Sequence, residues 1–175
     1  MKPDPRRDGT LRVECQFASR RPWVPSRRRL GDWAAAAWEG AGPRARRVVL
    51  AGGGPATVCV RVVGPRESRR LNRDFRGSDR PTNVLSFPSS ATERELCGAL
   101  GDLVVCATVV AREAREQRKP RSAHWAHMIA HGVLHLAGFD HERAGQARVM
   151  ERREVAILAA FGYQNPYHRR TAGGT

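Results

Sequence analysis

The sequence predicts one domain of mixed α/β or α+β class. Short β-branched runs are interspersed with segments of helical period, and the chain then ends on helical patterns only. A length of 175 residues supports one substantial core but is short for two. A hydrophobic fraction of 41% and a charged fraction of 27% are those of an ordinary soluble globular protein.

In chain order, MKPDPRRDG at 1–9 and the segment 168–175 are expected to be frayed tails around a single domain spanning 10–167. LRVECQF alternates like an edge or half-buried strand, and LGDWAAAAW at 30–38 has helix composition. GPRARR and AGGGPA act as breakers around a short expected strand, RVVL. TVCVRVV is a second, strongly β-branched strand, and PRESRRLNRDFR at 65–76 follows as a basic helix. NVLSF and DLVVCA are further strands, separated by a looser stretch containing SSATERELCG. ATVVAREAREQ carries a helical period that stops at Lys119-Pro120. After a histidine-rich segment, ERAGQARVMERREVAILAAFG forms a last helix, closed by Gly162 with Pro166 just beyond.

Thirty-one basic residues stand against 17 acidic ones, a net charge of +14, and every basic residue except Lys2 and Lys119 is arginine. The planar guanidinium fork suits phosphate oxygens, so the charge points to a polyanionic partner without choosing between RNA, DNA and anionic lipid. The four cysteines have no C-x-x-C pairing; in settings such as LVVCA they read as reduced, buried small hydrophobes of a cytosolic protein. No apolar run approaches the ~18 residues of a membrane span. A cytoplasmic location is expected.

HWAHMIAHGVLHLAGFDH, residues 124–141, holds five of the six histidines. On a helix at roughly 100° per residue, Trp125, Ile129, Val133 and Leu136 gather on one face. His124, His127, His131 and His135 gather opposite. His127 and His135, ~12 Å apart along such a helix, cannot serve one ion together. A third ligand has to come from chain that turns back, and Gly138 supplies the break before His141. His131, His135 and His141 thus form H-x3-H-x5-H, the ligand spacing of the H-E-x-x-H-x-x-G-x-x-H metalloprotease motif. Three neutral imidazoles with an open fourth position describe a catalytic zinc site. The protease's general-base glutamate is missing, however, because Gly132 occupies its place. Asp140, the nearest carboxylate, is expected to orient a ligand imidazole or, failing that, to transfer protons itself. His124 and His127 either line the same cleft or touch phosphate, but are expected first to be only partly buried neighbours.

HGVLHLAGFDH resembles the H-G-x-L-H-L-x-G-[YF]-D-H signature of the YbeY family, bacterial endoribonucleases of ribosomal RNA maturation. LNRDFRGSDRPTNVLSFP at 71–88, GDLVVC at 101–106 and FGYQNPY at 161–167 resemble further blocks of that family, in its order. The resemblance implies an α+β domain with a small, mostly parallel mixed sheet surrounded by helices. It also implies one zinc ion held by three histidines at the base of a positively charged groove. The implied activity is cleavage of single-stranded RNA, in 3′-end maturation of small-subunit ribosomal RNA and in ribosome quality control. The family's functional arginine matches Arg76, whose guanidinium can meet phosphoryl oxygens bidentately; Arg73 and Arg80 flank it as expected RNA contacts. Three departures stand out, one being that after His141 the family tends to be acidic whereas ERAGQARVMERRE here is mixed and arginine-rich. The family's usual aspartate after P-T is Asn83 here, and RRPWVPSRRR at 20–29 has no counterpart.

The leading expectation is therefore a metal-dependent endoribonuclease associated with the ribosome, with His131 and Arg76 carrying its catalysis. A non-catalytic RNA-binding assembly factor with a structural metal is the alternative of another class. A zinc peptidase is the third reading and has to work without its base at Gly132.

Overall fold

The computed structural model describes residues 10–19, 21, 23–49, 55–139 and 144–167. Four strands, β1 (Leu11–Phe17), β2 (Ala56–Val63), β3 (Val84–Pro88) and β4 (Ala99–Cys106), form one sheet in the order β1-β2-β4-β3. The β1–β2 and β2–β4 pairs are parallel and β3 runs antiparallel to β4, so the sheet is mixed but mostly parallel. Seven helices accompany it: α1 (Arg27–Gly40), α2 (Gly42–Val49), α3 (Pro65–Arg76), α4 (Ala91–Cys97), α5 (Ala107–Glu116), α6 (Arg121–Leu136) and α7 (Ala144–Ala160). The α+β expectation holds.

Strand alternation sorts side chains to two faces. Val58, Val60 and Val62 of β2 and Leu103 and Val105 of β4 join α1, α6 and α7 in the main core. Val63, Val104 and Cys106 face the other way, packing with Leu85, Val109 and the half-buried Leu71 of α3. Helix α6 runs through the centre: Trp125, Ile129, Val133 and Leu136 are all fully buried, as the predicted apolar stripe requires.

The sequence reading differs from the structure in four places. RVVL reads as a strand, but Arg47 to Val49 end α2. Pro43 sits in the first turn, where a helix tolerates it, and β1 pairs directly with β2, leaving no sheet position for an intervening strand. The loose stretch SSATERELCG contains α4, started by a capping box in which Ser90 and Glu93 satisfy each other's backbone N–H groups. Cys97, at the end of α4, is exposed rather than buried, while Cys15 and Cys106 are buried as expected. His124 is wholly buried, not a partly buried neighbour. Both expected tails lie outside the described residues. Among the described residues no helix is long and apolar enough to cross a membrane.

Candidate metal centre

The i, i+4 spacing on α6 brings the His131 and His135 rings together, with centroids 4.5 Å apart and the two Nε2 atoms facing each other at 3.1 Å. With one of the pair protonated this is a hydrogen bond; with both unprotonated it is the bite of a chelate. Two Zn–N bonds of ~2.0–2.1 Å at a tetrahedral angle span roughly 3.3 Å, so the donors fit one small divalent ion. Gly138, with φ of 92°, terminates the helix where the sequence required the chain to turn back. His141 and Asp140 lie outside the described residues, and among the described residues no three ligating side chains converge.

The carboxylate that orients the pair is Glu154, on α7. Its side chain is fully buried, and its Oε1 lies 2.8 Å from Nδ1 of His131. Because a carboxylate only accepts, Nδ1 of His131 carries the proton and Nε2 is left with its lone pair toward His135. On the other oxygen, Oε2 accepts from Nε2 of His127 at 3.1 Å and from the hydroxyl of Tyr167. Burial pushes the Glu154 carboxyl up, but hydrogen bonds from His127, His131 and Tyr167 outweigh it and hold it down at about 2. Burial and the neighbouring carboxylate together push the Tyr167 phenol well above its ordinary value, so it remains a donor. His127 therefore belongs to the support of the site: its Nε2 is spent on Glu154.

His124 makes a separate network. Its Nε2 lies 2.8 Å from Glu113 of α5, which also accepts from Nδ2 of Asn83 at 3.0 Å. Burial raises the Glu113 carboxyl, and the bonds from His124 and Asn83 reverse this, leaving it below the usual range. Asn83 Oδ1 in turn accepts from the backbone of Val84 at the start of β3. The amide thus ties β3 to α5, a place where a second carboxylate would confront Glu113.

Arg76 ends α3, and its guanidinium donates to the Ser86 carbonyl of β3 at 3.1 Å, on the edge strand that packs against α6. One donor is used and the rest of the fork is exposed. Arg73 is engaged within the protein, 3.0 Å from Asp74 and 4.0 Å from Asp79, both pairs about half exposed. Arg80 is exposed and has no carboxylate partner among the described residues.

Gly132, which stands where the protease motif has its glutamate, packs closely on the sheet. It is buried on α6, and a Cβ there would stand 2.7 Å from Cδ2 of Leu103 on β4. A larger residue there requires the buried Leu103 side chain to shift.

A family model described as Endoribonuclease YbeY matches residues 47–162. The Endoribonuclease YbeY of Alkalilimnicola ehrlichii is 58% identical over 123 residues, covering 68% of this chain and 74% of that protein. The Endoribonuclease YbeY of Alcanivorax borkumensis is 44% identical over 162 residues, covering 90% of this chain and 87% of that protein. The solution structure of TM1509 from Thermotoga maritima matches with a TM-score of 0.52 and 25% identity over 94% of this chain and 99% of that one. Matched over most of its length by the family model and by relatives well above 30% identity, this chain belongs to the YbeY family.

Proposed function

We propose that the chain is a zinc-dependent endoribonuclease that cuts single-stranded RNA in the cytoplasm, in 3′-end maturation of small-subunit ribosomal RNA and in ribosome quality control. The observation that carries this reading is the convergence of His131 and His135 through Nε2 at 3.1 Å, with His131 fixed from behind by Glu154. His131, His135 and His141 would hold one ion. When bound, zinc supplies Lewis acidity and a nucleophile available at neutral pH.

The chain's own residues do the rest. Glu154 holds the proton on Nδ1 of His131 and so keeps Nε2 basic. Asp140 would orient a ligand imidazole. Arg76 meets the non-bridging oxygens of the scissile phosphate, where negative charge concentrates in the transition state. Arg73 and Arg80 hold neighbouring phosphates and place the strand. The glycine at 132 leaves the site without the base a peptidase uses, which favours phosphodiester over peptide chemistry.

The test pairs elemental analysis with RNA cleavage on the same samples. Wild-type protein is expected to hold one zinc per chain and to cut a single-stranded RNA; His131→Ala loses both, and Arg76→Ala keeps the metal but not the cutting. Metal-loaded wild type that binds RNA tightly and never cuts it would hand the role to a ribosome-assembly factor. A 2′,3′-cyclic phosphate on the product identifies the RNA hydroxyl, rather than water, as the attacking group.

A further inference from the structure

At the other end of α6 lies a basic, aromatic-lined groove that the nuclease site does not use. Two adjoining cavities, of about 410 and 430 Å3, share Trp23 and Arg121 as a common wall. Each volume falls in the range of ligand-sized clefts. Arg115 and Lys119 line the first cavity and Arg29 the second, and neither has an acidic residue in its wall. Among the described residues, Arg29, Arg115 and Arg121 have no carboxylate partner. Arg121 lies 5.7 Å from the Trp23 ring centroid, so the indole already carries a cation on its face.

Two features leave hydrogen-bond donors without acceptors beside this groove. Helix α6 has no side-chain cap, and its first backbone bond is donated by His124 to Pro120. The N–H groups of the preceding turn are therefore available to an anion. Independently, Trp125 lines the second cavity, is fully buried, and its Nε1 has no acceptor. A buried indole N–H normally finds one.

We propose that this groove is a second binding site for single-stranded RNA, taking one or two nucleotides upstream or downstream of the cut. A base takes the place that the Arg121 guanidinium holds over the Trp23 ring, and its phosphates are held by Arg29, the displaced Arg121 and the start of α6. Cations interleaved with a half-exposed aromatic are what a sequence-tolerant single-strand platform needs. The platform draws on Trp23 and Arg29, which lie outside the span matched by the family model. Along α6, Arg121 and His131 are ten residues apart, ~15 Å at 1.5 Å per residue, a distance a few nucleotides bridge. The site rests on RNA being the substrate, but not on the metal or on cleavage.

The test measures binding of a fluorescein-labelled 12-nucleotide single-stranded RNA to the full chain, with cleavage kinetics in parallel. Trp23→Ala is expected to weaken binding about tenfold. Because Trp23 packs against the core, the exposed double variant Arg29→Glu/Arg121→Glu, with its fold checked by circular dichroism, is the second arm. It is expected to weaken binding more than tenfold and to flatten the slope of log K against log salt by about 0.7 for each phosphate no longer neutralised. In both variants KM rises while kcat at saturating RNA stays within twofold. Wild-type affinity and salt slope in the folded double variant would overturn the platform and leave the nuclease reading intact. A wild type that binds RNA through this groove yet cuts none overturns the nuclease reading and leaves the platform standing. Binding of the wild type to phosphatidylserine vesicles but not to RNA assigns the groove to a membrane surface and overturns the proposal.

Discussion

Replacing Glu154 by glutamine is the sharpest probe of the site, because it changes one atom and predicts a specific proton movement. In the wild type two donors, His127 and Tyr167, meet Oε2 and one, Nδ1 of His131, meets Oε1. A glutamine has a single acceptor oxygen. It will turn that oxygen to the side with two donors and present its NH2 to Nδ1 of His131 at a 2.8 Å approach. Two facing donors repel, so His131 switches tautomer: Nδ1 accepts from the amide and Nε2, the atom that faces His135, takes the proton. Binding zinc then requires the old tautomer back, with a buried donor left unsatisfied at a cost of ~1–3 kcal/mol. That corresponds to roughly a 5- to 150-fold loss of zinc affinity, which brackets the ~10- to 100-fold range found when such supports are removed. Competition against a chromogenic chelator measures the affinity, and nitrogen-15 shifts of His131 in the metal-free protein report the tautomer directly. Zinc affinity within threefold of wild type, or a His131 still protonated on Nδ1, would refute the reasoning.

Further outcomes follow from other residues. Arg76→Ala should lower kcat by ~100- to 1,000-fold, the typical cost of deleting one charge-stabilising donor, with the melting temperature within a degree or two because the side chain is exposed; a small kcat effect would move the phosphate contact elsewhere. Gly132→Glu should be destabilised by several kcal/mol in urea titrations, since it drives a carboxylate into the packed face against Leu103, and should show no peptidase activity; a stable variant would mean α6 can rotate. Glu113 has a carboxyl held below its ordinary value of 4.5, so it binds its proton less readily when folded. Its stabilisation is present above that pH and is lost as the pH falls through the lowered folded value. Glu113→Gln should accordingly lose stability at pH 6–7 and show a flatter acid limb in thermal melts below about pH 4.5; parallel acid limbs would contradict this.

The parts of this molecule that are legible in the sequence are those written in local spacing. The apolar and histidine stripes of α6 follow from 3.6 residues per turn, and Gly138 marks the bend because glycine alone accepts its φ cheaply. The helix α3 and all four strands of the sheet are also readable from pattern. Glu154 is not, although it is the residue on which His131 depends, because it lies 23 positions away and no local period links the two helices. One signal exists: Met150, Ile157 and Leu158 make a buried stripe on α7, and Glu154 sits within it. A carboxylate at a core position of an apolar stripe demands a partner. The α4 helix also carries its signal, the Ser90–Glu93 capping box. The end of α2 instead mimics a strand, because two adjacent valines favour one until tertiary pairing removes the place for it.

The ordering of these residues along the chain has a consequence during synthesis. His131 and His135 emerge well before Glu154, and Tyr167 emerges later still, while Lys119 pins the Pro166 carbonyl at 2.6 Å to hold that final segment down. Domains assemble from the N-terminal side as they are made, so a nascent chain carries its histidines without the carboxylate that sets their proton and without the phenol that braces it. Any polypeptide cut short before residue 154 would have the basic surface to cling to RNA but an imidazole pair with nothing to orient it. The set of hydrogen bonds around Glu154 is complete only once Tyr167 has been made.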